Sequence, residues 1–222
     1  MQYFDITSRV LYRDALVIVL DKPAGIPVHP GPRREGPSLE DYFENLMFDY
    51  HHPPHLAHRL DRDTSGCLVL GRNKKALRKM GQLFETRQVK KTYWAIVHNA
   101  PKDDSGIIDN WLEKVKTPKG WYMKVSKENP NAQSAVTAWR VVERYKDTAW
   151  LELTPQTGRT HQIRVHCLSL GCPIVGDWVY GPEGSDSTPL RLHARSLEFP
   201  LHHDEKPLHV EAPAPEGFFN GK

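Results

Sequence analysis

The apolar positions of this chain follow two periods, and the change from one to the other divides it into regions. Leu16-Val17-Ile18-Val19-Leu20 is an unbroken apolar run of strand length, stopped by the turn residues Lys22-Pro23-Ala24-Gly25. A proline-rich loop fills 27–37. Ser38 then stands as a helix N-cap with Asp41 three residues on as the capping-box acid. Leu39, Tyr42, Phe43, Leu46 and Met47 recur at helical spacing behind it, which predicts one amphipathic helix. Cys67-Leu68-Val69-Leu70 is a second buried strand. Asn73 caps a second helix whose Ala76, Leu77, Met80, Leu83 and Phe84 face inward, with Lys75, Arg78 and Lys79 mostly outward.

From Lys91 onward the period shortens to that of strands. Thr92–Val97, Gly106–Leu112, Trp121–Val125, Ser134–Tyr145 and Thr148–Leu153 all read as strands, with Lys146-Asp147 as a tight hairpin connection. Thr160 to Leu170 reads as a helix with Thr160 as its cap and Gly171 closing it. Short strands return at 174–175, Leu192–Phe199 and Leu208–Glu211. No internal repeat and no interior linker interrupts this order, so the expected architecture is a single compact, sheet-dominated α+β unit over residues 1–222.

Composition narrows the classes. With 39% apolar and 26% charged residues the chain has the make-up of a soluble globular protein, and no apolar stretch reaches membrane-spanning length. Nothing at the amino terminus has the pattern of a signal peptide. Cys67, Cys167 and Cys172 are an odd number and read as reduced thiols of a cytoplasmic protein. The net charge of +3 does not by itself indicate a nucleic-acid partner, but its distribution is uneven. Arg72, Lys74, Lys75, Arg78, Lys79, Arg87, Lys90 and Lys91 face a single acid, Glu85, whereas Glu198, Asp204, Glu205, Glu211 and Glu216 outnumber Lys206 in the tail. A local basic patch of that kind suits phosphate contact, and equally a solvated helix face.

Three segments carry candidate chemistry. In His58-Arg59-Leu60-Asp61-Arg62-Asp63-Thr64-Ser65-Gly66, Asp61 lies between two arginines, with a Thr-Ser-Gly turn expected just before a buried strand. Read alone, this is a surface loop with a structural ion pair, and only its neighbours elsewhere in the chain reverse that. In Thr157-Gly158-Arg159-Thr160-His161-Gln162-Ile163-Arg164-Val165-His166, a helix start with arginines attracts anions, and Arg164 is spaced to meet a carboxylate from another loop. Tyr93, on a strand flanked by Lys90 and Lys91, can stack on a base or move a proton; by itself it reads first as an aromatic core residue with its hydroxyl at the sheet edge. The twelve histidines include a cluster at His51, His52, His55 and His58, but neither Cys-x-x-Cys nor a paired-histidine zinc motif accompanies it, so no metal is expected. Gly-rich phosphate loops and a nucleophile elbow are missing too.

In their order these segments resemble the RluA family of RNA pseudouridine synthases. The resemblance rests on Leu20-Asp21-Lys22-Pro23-Ala24-Gly25, His58-Arg59-Leu60-Asp61 with Thr64-Ser65-Gly66, and Lys91-Thr92-Tyr93-Trp94-Ala95-Ile96-Val97. It extends through Thr157 to His166, Pro173-Ile174-Val175-Gly176-Asp177 and Leu192-His193-Ala194. It implies the α+β pseudouridine synthase fold: a central mixed, mostly antiparallel sheet with flanking helices and a basic cleft. The implied reaction isomerises uridine in ribosomal or transfer RNA to pseudouridine without cofactor or metal.

By the same resemblance Asp61 is the catalytic aspartate, acting either as a nucleophile or as a base on the sugar. Arg164 pairs with it, and Tyr93 stacks on the target uracil and serves as a proton acceptor. Arg59 enters the RNA stack as the target leaves. Leu192 lines the uracil pocket. Lys22, His58, Arg159, His161 and Gln162, within the matching motifs, are expected RNA contacts. Arg62 and Asp63 fall at variable positions and carry no expected role. About a dozen residues precede the first core strand, too few for the S4-type RNA-binding domain of many relatives. The 102–131 insertion is thus a candidate for contact with a stem-loop, and a monomer is the expected state.

Overall fold

The structure, a computed structural model, describes residues 4–31, 36–118, 120–127, 129–185, 188–203 and 206–220. Part of the proline-rich loop, Asp204 and Glu205 of the acidic tail, and Lys119 and Glu128 of the insertion lie outside the described residues. Eleven strands and two α-helices among the described residues give an α+β fold in two compact units. The first holds Met1–Lys90 with Ala194–Pro215, the second Lys91–His193 with Glu216–Lys222.

In the first unit β1 (Val10–Arg13), β2 (Val17–Lys22), β4 (Ser65–Gly71) and, from Ala194 onward, β10 (Leu192–Phe199) lie side by side; β3 (His55–Leu56) adds to β4 and β11 (Leu208–Glu211) to β10. The apolar run expected at 16–20 is β2, fully paired with β4 from Val17↔Gly71 to Lys22↔Gly66. Helix α1 (Lys74–Glu85) begins where the sequence places it, with the Asn73 side chain accepting the Ala76 N–H at 2.9 Å. It seats Met80 and Leu83 on a core shared with Val17, Val19, Cys67, Val69, Leu197, Phe199 and Val210.

The amphipathic segment after Ser38 differs in type. Leu39–Leu46 is a 3-10 helix, although its capping box with Asp41 and its buried Leu39, Phe43 and Leu46 are as expected. Its first N–H groups donate sideways to the proline loop, Leu39 to Pro27 O and Glu40 to Val28 O, and that tie competes with regular α-helical bonding.

In the second unit β5 (Lys90–His98), β9 (Thr148–Pro155), β8 (Gln133–Arg144), β6 (Ser105–Thr117) and β7 (Gly120–Val125) form an antiparallel succession in that order. The 102–131 insertion is largely the β6–β7 hairpin. Helix α2 (Gln162–Ser169) packs Ile163 and Cys167 against Ala95, Val97, Leu151 and Leu153. Its start is two residues later than the spacing predicts. His161, not Thr160, occupies the cap position, at φ +53°. The three cysteines are free and buried, and burial pushes the Cys67 thiol up to about 12. Among the described residues no helix is long and apolar enough to cross a membrane.

Candidate active site

The first unit builds the Asp61 loop by lacing two turns together. Lys22, at the end of β2, is completely buried. Its Nζ donates to the carbonyls of Pro23 and Arg62, both at 2.8 Å. The Arg62 carbonyl also accepts the Gly25 N–H at 3.0 Å, and Arg62 Nε returns a bond to Gly25 O at 3.1 Å. Thr64 N–H closes the turn onto Asp61 O. Asp61 is thereby held half-buried beside exposed Arg59. Burial lowers the Lys22 ammonium to about 8, opposed by the charges of Asp63 and Asp61.

Four sequence expectations change here. Lys22 is a bracket for the loop and has no surface to offer a phosphate, and Arg62, expected to be incidental, is the hub of the lacing. Nor do Thr64-Ser65-Gly66 form the turn, since Ser65 and Gly66 already belong to β4. Gly66 is required there by its φ of +104° and by the Ala194 carbonyl oxygen, which a Cβ would approach to 2.2 Å. His58 is turned inward: its Nε2 accepts the Val69 N–H at 3.0 Å and its ring rests on Phe84.

The second unit arranges the other segments around the start of α2. Gln162 is buried with its amide shared in four directions. Its Oε1 accepts from Thr157 Oγ1 and Arg159 N–H, and its Nε2 donates to Val136 O and Thr137 Oγ1. It therefore fixes the loop before the helix, replacing its expected RNA contact with a structural one. Lys91 donates to Thr157 O at 3.1 Å from beneath the same loop. Arg159 is half-exposed with its Nε on Ser134 O. His161 stacks on Trp121 of the hairpin, whose ring also carries Lys114 Nζ at 4.1 Å.

Arg164 points inward, 4% exposed. A carboxylate that meets it from another loop is that of Asp177, through Nε and Nη2 at 2.7 Å each, a pair the spacing gave no means of choosing. Tyr93 is half-buried on β5 opposite Leu153, its ring packed on the core that holds Leu192. The residues expected to share one site thus fall in separate units: Lys22, His58, Arg59 and Asp61 in the first, Tyr93, Arg159, His161, Gln162, Arg164 and Leu192 in the second. Among the described residues no group of three or more His, Cys, Asp or Glu side chains is arranged to hold a metal ion.

Comparison with known proteins decides the family. The profile of the RNA pseudouridylate synthases matches residues 16–169. An uncharacterized RNA pseudouridine synthase of Zymomonas mobilis is 43% identical over 96% of both chains. The chain belongs to the RluA family of RNA pseudouridine synthases. A second relative, ribosomal large subunit pseudouridine synthase C of Buchnera aphidicola, is 33% identical over 93% of this chain and 67% of its own. Among solved structures, human RNA pseudouridylate synthase domain containing 4 superposes with a TM-score of 0.80 at 32% identity, covering 96% of this chain and 91% of that one. As an RluA-family protein the chain is an isomerase that converts uridine in RNA to pseudouridine.

Proposed function

We propose that this isomerase modifies uridines in a stem-loop of ribosomal RNA, transfer RNA or both, with Asp61 as its catalytic aspartate and residues 1–222 acting as one catalytic domain. The observation that carries the reading is the laced loop. Lys22, Gly25 and Arg62 donate to three backbone carbonyls, those of Pro23, Gly25 and Arg62, to hold the one acid that stands at the family's aspartate position, half-exposed next to an exposed arginine. The reaction breaks the bond between C1′ and N1 of uracil and joins C1′ to C5. The C5 proton leaves and N1 gains one, so no redox partner is consumed.

In this reading Asp61 assists cleavage, Tyr93 stacks on the uracil and takes the C5 proton, and Arg164 stabilises developing charge. Arg59 fills the RNA stack in place of the flipped nucleotide, a role its exposure supports. Arg159 and His161 contact RNA, and Leu192 backs the uracil. The ribosomal part of the assignment draws on relatives named as ribosomal large subunit pseudouridine synthases C and D. Three buried, reduced cysteines fit a cytoplasmic enzyme, working as a monomer.

The test uses RNA from cells lacking the gene, labelled with tritium at uracil C5, so that each turnover releases tritium to water. Asp61→Asn abolishes release while leaving RNA binding and thermal stability near wild type; normal turnover by that variant removes Asp61 from the chemistry. Pseudouridine mapping of ribosomal and transfer RNA with and without the gene identifies the target, and unchanged maps in both refute the assignment of RNA class.

A further inference from the structure

Asp177 is a buried charged side chain that the reaction scheme above leaves without a task. It is 0% exposed. A carboxylate withdrawn from water in this way is costly unless its lone pairs are met, and here they are. Oδ2 accepts Arg164 Nε, and Oδ1 accepts Arg164 Nη2 together with the N–H groups of Val179 and Tyr180, both at 3.1 Å. The backbone is fixed as firmly. Asp177 N–H donates to Ile174 O, and its carbonyl accepts the Gly181 N–H at 2.7 Å. Gly176, at φ +76°, passes so near Pro189 that a Cβ would lie 2.2 Å from its carbonyl oxygen.

The guanidinium has a second fixed contact. The Tyr180 ring lies 5.1 Å from Arg164 Cζ. The Tyr180 hydroxyl accepts the Met123 N–H from β7 at 2.9 Å and meets His161 Nδ1 at 2.8 Å. A buried ion pair contributes little net stability compared with apolar residues of the same volume. What two parallel bonds and a ring contact do supply is a single orientation.

We propose that Asp177 is the positioning residue for Arg164: it grips the Nε–Nη2 edge so that the guanidinium is fixed in direction before RNA arrives. The inference rests on the reading of Arg164 as catalytic. Asp177 touches no substrate in this account and acts only through Arg164.

The experiment is a double-mutant cycle on single-turnover tritium release at saturating RNA, using bulk ribosomal and transfer RNA from cells lacking the gene, labelled at uracil C5. Asp177→Asn is expected to slow release roughly 100-fold, as misplacement of a reacting group does, with the RNA dissociation constant changed less than about twofold. In an Arg164→Met background the same Asp177→Asn change is expected to add nothing. An equal loss in both backgrounds, or a wild-type rate for Asp177→Asn in the intact background, overturns the proposal. Arg164→Met turning over normally instead refutes Arg164 as catalytic, and the positioning role with it; Arg164→Met slow with Asp177→Asn normal refutes positioning alone. Should Asp177→Asn fail to fold, Arg164→Lys interrogates the same pair, keeping the charge while removing the two-pronged edge. A comparable rate loss at unchanged RNA affinity supports the proposal, and a wild-type rate overturns it.

Discussion

Lys22 and His166 show what burial does to single residues that look ordinary in the sequence. Lys22 stands in a Lys-Pro-Ala-Gly stretch that reads as an exposed turn, yet its ammonium is the internal tie between the Pro23 and Arg62 carbonyls. Lys22→Met leaves both without that donor and is expected to cost about 2–4 kcal/mol, measured by urea unfolding, along with a lower rate of isomerisation as the Asp61 loop loosens. His166 lies wholly inside α2's packing with Nδ1 on Thr137 Oγ1 at 2.9 Å. Burial holds its pKa down to about 4, with Asp109 opposing. Because the unfolded chain binds this proton near pH 6.5 and the folded chain only near 4, stability is complete above about 6.5 and falls as the pH drops through that window. The loss is roughly 3 kcal/mol by pH 4. Urea midpoints across that range are expected to flatten in His166→Gln. Asp61, Tyr93 and Arg164 stand in motifs that the sequence sets apart. Asp177 stands in a matching segment as well, but its pairing with Arg164 was not legible, because a bidentate partner 13 residues away depends on the path of the loop between them, which no local period encodes.

At the scale of elements the sequence was most informative where a face is buried. β2, β4 and α1 lie where their apolar runs and stripe place them, and the Asn73 cap is formed as read; Asn73→Ala is expected to lower stability by about 1 kcal/mol in thermal unfolding. The reading failed where side chains take over the work of the backbone. α2 starts late because Gln162 reaches back to Thr157 and Arg159 N–H, a bond that spacing rules assign to Thr160. The 39–46 segment is 3-10 because its first turn is tied to Pro27 and Val28. Gly66 is a third case: its place inside β4 is set by a neighbouring strand's carbonyl, not by a turn. Gly66→Ala is expected to destabilise by at least about 2 kcal/mol from the positive φ and the overlap with Ala194, and circular dichroism melts report it directly.

For the molecule as a whole, charge is the property that reaches farthest. Of the eight basic residues from Arg72 to Lys91, two turn out to be internal. Arg72 donates to Asp14 O and Met47 O, and Lys91 to Thr157 O. Lys74, Lys75, Arg78, Arg87 and Lys90 remain exposed. If these carry phosphate contacts, neutralising Lys75 and Arg78 together lowers the slope of log affinity against log salt by about 1.5. RNA binding titrated at several salt concentrations checks this, and an unchanged slope moves the contact surface elsewhere.

The first unit is discontinuous along the chain, and this has a consequence for how the protein is made. Its core joins Val17, Val19, Cys67 and Val69 to Leu197, Phe199, Leu201, Val210 and Ala212. During translation the amino-terminal strands emerge first but wait for residues 194–215, on the order of ten seconds later at ordinary elongation rates. Throughout that interval β4 lacks the β10 neighbour that covers Gly66, and an apolar strand edge is open to wrong partners. The nascent chain is therefore expected to need chaperone cover until its last segments arrive. A stalled chain ending at residue 193 should be digested by protease in the first unit, where the full-length chain resists.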